Sequence, residues 1–206
     1  MINNIDIIKP LLNFDNEGDF YMLYILKRKK DQIEEEKVNH QSVRTIKTYC
    51  VDSLDYLDKR FDEITALCEL FKARAYIHIQ KQNHKDVGLN MMVELAKRIK
   101  NGNFVFKNLF DSVVGELQTH ESRWIIDIDT KDEGETNEIS SFINTLRPIE
   151  KMNKIEAIVP TKSGCHLITC RFDVVEFKKK YPTIDIQKKN PTLLFLPNSL
   201  NIEVKN

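Results

Sequence analysis

The stretch RWIIDIDTKDEGE, Arg123–Glu135, sets two aspartates one residue apart inside an apolar run and then turns acidic. Strand side chains alternate between faces, so Asp127 and Asp129 point one way with Ile125. Trp124, Ile126 and Ile128 point the other way, toward covering helices. Two carboxylates whose Cα atoms lie about 6.6–6.8 Å apart along a strand can share hard cations through their oxygens. Without a cation they repel one another and resist desolvation. Such a pair also fits a strand on a sheet's solvated face, so two letters alone do not fix the chemistry. The acids that follow, Asp132 to Glu135, read as a solvated loop.

Working outward, the C-terminal part of the chain is the more legible. After the strand at 124–129, Ile139, Phe142, Ile143 and Leu146 recur at helical spacing until Pro148. Strands follow at 155–159 and 166–172, joined by the turn PTKSG. Asp173 and Glu176 form a capping box that opens a short helix to Tyr181. Residues 184–190 then read as a bend and 192–200 as a last strand. Strand–helix–strand–strand–helix–strand is the ferredoxin-like, split βαβ order, an α+β fold with one sheet face free to carry a site. Upstream, 19–30 reads as an apolar strand running into a charged surface loop at 27–37. Leu54–Phe71 reads as an amphipathic helix, and 73–80 as a strand with two distinct faces. A helix capped by Asp86 carries Leu89, Met92, Val93, Ala96 and Ile99, and 104–118 is helical. His78 reads as a structural or surface histidine.

Two further features bear on the acid pair. In PTKSGCH (Pro160–His166), Gly164 lets backbone amides approach an anion, Lys162 and Ser163 can donate to phosphate oxygens, and His166 can reach the same group. Asp185 supplies a third carboxylate at a strand edge, followed at once by Lys188, Lys189 and Asn190. Taken singly, these are a hairpin loop and a turn acid beside a lysine pair. Their order is less easily accidental: acid pair, anion loop with histidine, third acid with lysines.

Asp127-x-Asp129, Ser163-Gly164-Cys165-His166 and Ile184-Asp185 together resemble the three motifs of the archaeo-eukaryotic primase superfamily, the primase–polymerases. The segment KKNPTLLFLPNSLN is similar to the family's stretch after its third motif. The resemblance covers residues 120–200. It implies an RRM-like catalytic module at 119–206 packed with a variable N-terminal αβ module at 1–118. It also implies a DNA primase/polymerase, a nucleotidyltransferase working on a single-stranded DNA template. In that reading Asp127, Asp129 and Asp185 hold two magnesium or manganese ions. Lys162, Ser163 and His166 bind the incoming nucleotide triphosphate, and Lys188 and Lys189 touch nucleotide or template. Phosphoryl transfer needs chiefly positioning and charge stabilisation, which acids, metals and cations supply. No helicase motif is present, so an unwinding partner would be a separate chain. Two other readings stay open: a primase-like module that binds nucleic acid or nucleotide without turnover, and a metal-dependent nuclease.

Composition narrows the classes. Lys plus Arg and Asp plus Glu both number 31, so the chain is formally neutral and any nucleic-acid contact is local rather than a general basic coat. Cys50, Cys68, Cys165 and Cys170 form no CxxC pair and read as small core residues, not zinc ligands. The N-terminus lacks a signal-peptide pattern, and no stretch reaches the ~18 apolar residues of a membrane span. The expectation is a cytoplasmic protein with no membrane partner.

Overall fold

The computed structural model of the protein describes residues 1–32, 43–117 and 123–201. In chain order the elements begin with β1 (Ile2–Asn3), α1 (Ile5–Ile8), β2 (Asp19–Arg28), β3 (Val43–Val51), α2 (Leu54–Phe71), β4 (Arg74–Ile77) and β5 (Gln82–Asn83). Then come α3 (His84–Lys100), α4 (Leu109–Glu116), β6 (Trp124–Ile128), α5 (Glu133–Thr145), β7 (Ile155–Pro160) and β8 (Cys165–Thr169). The chain closes with α6 (Val174–Lys180), β9 (Asp185–Gln187), β10 (Thr192–Leu196) and α7 (Asn198–Asn201). The result is a mixed α+β fold with two antiparallel sheets. One runs β1-β10-β4-β2-β3, with β5 beside β2; the other runs β7-β8-β6-β9. Among the described residues no helix is long and apolar enough to cross a membrane.

The central strands of the second sheet, β6 and β8, are buried on both faces. Trp124, Ile126, Ile128 and Leu167 pack against Ile139, Ile143 and Leu146 of α5 and its exit, and against Phe172 and Phe177 around α6. Ile125, Val159 and Ile168 face the other way, into a core shared with Leu23, Ile25, Ala75 and Ile77 of the first sheet and Leu57, Ile64 and Cys68 of α2. The face expected to lie free is therefore covered at its Ile125 end by the N-terminal sheet. Polar stitches hold the two sheets together. Buried Asn4 donates to the carbonyls of Pro160 and Leu193, and Arg123 pairs with Glu156 while donating to Leu11 O.

Several local expectations change. The fourth strand of the second sheet is β9, from the stretch read as a bend. The expected last strand, β10, leaves that sheet and pairs with β4 and β1. Residues 192–196 thus sit structurally with the N-terminal elements. Thr192–Leu196 is buried throughout, and an apolar run buried on both faces carries no alternation to say which sheet it joins. Asp132, read as loop, caps α5 by accepting from Gly134 N, and Glu133 and Glu135 stand in its first turn, where the helix dipole favours acids. Asp173 caps α6 as its spacing predicts.

The cap of α3 is Asn83 rather than Asp86. Its packed face is Val87, Met91 and Leu95, whereas Leu89, Met92, Val93, Ala96 and Ile99 are exposed. Of the expected helix at 104–118, the described residues 104–117 are helical only at 109–116. The acidic half of the charged loop, 34–37, lies outside the described residues.

Candidate functional site

Where the two sheets diverge beyond Ile125 they leave a cleft of about 390 Å³. The second sheet contributes Asp127, His166 and Gln187, and its loops add Asp129, Thr161, Lys162 and Ser163. The first sheet contributes Leu26, Arg28, Arg74, Tyr76 and Leu193. Strand register explains the polar centre. Asp127 lies directly opposite His166 on one side and Asp185 on the other, so the three share one row of the sheet. Cross-strand partners lie on the same face at closest approach, and a one-residue slip of any of these strands would turn its member of the row toward the α5–α6 core.

Asp127 is half-buried, with Oδ1 3.5 Å from His166 Nε2. The His166 ring holds the Asp127 carboxyl below its ordinary value; burial opposes this, and Arg28 adds a smaller pull in the same direction. His166 is buried, and its Nδ1 shares a 2.9 Å hydrogen bond with Thr192 Oγ1. β10 therefore orients the histidine from the other sheet. Gln187 Nε2 donates to Asp127 Oδ2 at 3.4 Å and to Asp185 Oδ2 at 3.0 Å. An amide donor between two carboxylates marks the point where positive charge is most favoured.

The loop between β7 and β8 is closed by Thr161 N donating to Gly164 O at 2.8 Å and by Gly164 N donating to Thr161 Oγ1 at 3.2 Å. The Gly164 amide is thus used within the turn instead of facing an anion. Its missing side chain serves another end: a Cβ there would lie 2.0 Å from Ile128 O and 2.7 Å from both Thr130 N and Thr130 O. Only glycine lets the loop nest on the exit of β6, which brings Lys162 and Ser163 beside Asp127 and Asp129. Ser163 is exposed at the rim, and Lys162 Nζ donates to Leu200 O of α7 at 2.6 Å.

Of the residues singled out from the sequence, Asp127, Asp129, Lys162, Ser163 and His166 line the cleft, and Asp185 lies exposed next to Asp127 in the same row. Lys188 and Lys189 are not brought in. Lys188 Nζ stands over the Trp124 ring at 5.0 Å, and Lys189 Nζ donates to Gly115 O and Glu116 O at the end of α4.

Arg28, Arg74 and Tyr76 are additions from the N-terminal sheet. Arg74 is buried and gripped bidentately by Asp31, with hydrogen bonds of 2.8 and 2.7 Å. The alternation in ARAYIHIQ separates Arg74 and Tyr76 from the core face Ala75 and Ile77, so this polar face was readable, though not its destination. His78 packs edge-on to Tyr24, and burial lowers its pKa to about 4, leaving a neutral ring away from the cleft.

Hard carboxylate oxygens are the donors magnesium and manganese prefer, and Asp127 and Asp185 fit that chemistry, with Asp129 at the lip. Among the described residues no three His, Cys, Asp or Glu side chains are already gathered into a cation cage. Comparison with family models, curated proteins and solved structures gives no match.

Proposed function

We propose that the chain is a primase-like, template-dependent nucleotidyltransferase, a DNA primase/polymerase core that uses two divalent metals. The observation that carries this reading is the row His166–Asp127–Asp185 facing a cleft whose other wall is basic and aromatic. The order of the second sheet, β7-β8-β6-β9 with α5 and α6 on one face, supports an RRM-like, split βαβ module as its platform.

Asp127 and Asp185, with Asp129, would hold the magnesium or manganese ions. When bound, these supply a lowered pKa for a 3′-hydroxyl and charge neutralisation at the leaving pyrophosphate. His166, fixed by Thr192, and the Lys162–Ser163 loop would position the nucleotide triphosphate. Arg28 adds positive charge on the facing wall, and Tyr76 offers an aromatic surface. A single-stranded DNA template, a separate helicase and a cytoplasmic setting belong to the same proposal.

The Gln187 amide between Asp127 and Asp185 favours one second reading, a primase-like module that binds nucleotide or nucleic acid without turnover. One experiment separates the readings. Purified chain is given labelled nucleotides with primed and unprimed templates, in magnesium or manganese. Metal-dependent incorporation is expected, reduced by roughly 10²-fold or more in Asp127→Ala and Asp129→Ala and retained in Lys189→Ala. Salt-sensitive single-strand binding without incorporation assigns the binding module. Shortening of the primer assigns a nuclease.

A further inference from the structure

Helix α3 carries apolar side chains on two faces, and only one face is packed. Val87, Met91 and Leu95 bury against Phe20 and Met22 of β2 and Leu109, Val113 and Val114 of α4. On the other side Leu89, Met92, Val93 and Ile99 are 49%, 61%, 53% and 51% exposed, and Ala96 is exposed between them. Phe104, Val105 and Phe106, also exposed, follow directly beyond the helix end. Single exposed apolar residues are ordinary; a helix-long stripe of them marks an interaction surface.

The spacing says what kind of surface it is. Leu89, Met92, Ala96 and Ile99 fall at steps of three, four and three, the a and d positions of a two-heptad coiled-coil seam. Asp86, Val93 and Lys100 then occupy the flanking e positions, with the acid at the N-terminal end and the base at the C-terminal end. A second α3 laid parallel would set e positions against g positions, here Gly88 and Leu95, and would leave Asp86 and Lys100 without an opposite charge. Laid antiparallel about a twofold axis near Val93, it sets each Asp86 against the second copy's Lys100. The Leu89 level then meets the Ile99 level, and the helix dipoles are opposed.

We propose that α3 is the seam of an antiparallel homodimer of this chain. The inference does not depend on the proposed catalytic function, since no seam residue lines the cleft. The helix is about 25 Å long, and one such seam falls short of the ~800 Å² per partner of a standard interface. The Phe104–Phe106 segment therefore shares the contact, and the dimer is weak, with a dissociation constant of roughly micromolar order.

Sedimentation equilibrium of the full chain tests it, over a concentration range from about 1 to 500 μM. The mass should rise from that of a monomer to twice that value. Met92→Lys combined with Val93→Lys should weaken dimerisation roughly tenfold or more, with circular dichroism and thermal midpoint unchanged because both residues are exposed. Asp86→Lys and Lys100→Glu should each weaken it several-fold, and the two together should restore it. A chain that stays monomeric throughout, a dimer that survives the double lysine variant, or a charge exchange that fails to restore association overturns the proposal.

Discussion

Replacing Gly164 by alanine isolates the contact that assembles the cleft. The added Cβ would meet Ile128 O at 2.0 Å, against an ordinary contact of 3.4 Å or more, so the loop and the exit of β6 must separate by about 1.4 Å. All three atoms it meets are backbone, so no rotamer change can absorb the clash. Overpacking of this kind typically costs about 1–3 kcal/mol. With backbone on both sides, the upper end of that range applies. For a chain of 206 residues, about 3 kcal/mol lowers the thermal midpoint by roughly 6–12 °C.

The same shift moves Lys162 and Ser163 away from Asp127 and Asp129. A misplacement of about 1 Å in a catalytic constellation is worth roughly 10²-fold in rate. Urea unfolding with an unchanged slope measures the first effect, and nucleotide incorporation measures the second. Gly115→Ala is the control: nothing lies within 4 Å of its Cβ position in α4, so stability should hold or rise slightly. If Gly164→Ala unfolds within ~0.5 kcal/mol of the wild type, the nesting of the loop on β6 is wrong and the cleft is not built as described.

Two other perturbations test separate parts of the structure. Arg74→Met strands Asp31 in a buried position and should cost about 3–5 kcal/mol in urea unfolding, whereas a surface pair such as Lys179–Glu176 should be near-neutral when broken. Asp127 has a folded pKa below its ordinary value of 3.8, so its contribution to stability is present above that pH and is lost as pH falls through the lowered folded value. Stability of the wild type should therefore drop more steeply than that of Asp127→Asn between about pH 5 and 2. Parallel curves for the two proteins would contradict the His166 contact.

Much of what could be read from the sequence is local. The period-2 run at Trp124–Ile128, the helical spacing through Ile143, the Asp173 cap and the hairpin around Gly164 each depend on near neighbours in the chain, and they form as expected. The placing of Asp127, His166 and Ser163 on one cleft follows from those elements alone, because their strands are adjacent. The packed face of α3 is not legible locally, since Val87, Met91 and Leu95 alternate with an equally apolar stripe and only β2 and α4 choose between them.

What the tertiary structure decided is everything that depends on pairing across distance. The apolar run Thr192–Leu196 suits either sheet by composition. Hydrogen bonding to β4 and β1 sends it to the first, and that places Thr192 behind His166. β9 instead completes the second sheet, which aligns Asp185 with Asp127 and turns Lys188 and Lys189 away. Arg28, Arg74 and Tyr76 enter the cleft from strands about 50 to 100 residues upstream, brought there because both sheets bury their apolar faces in one shared core. The acid pair is written in the sequence; the wall that faces it exists only once the two sheets have packed.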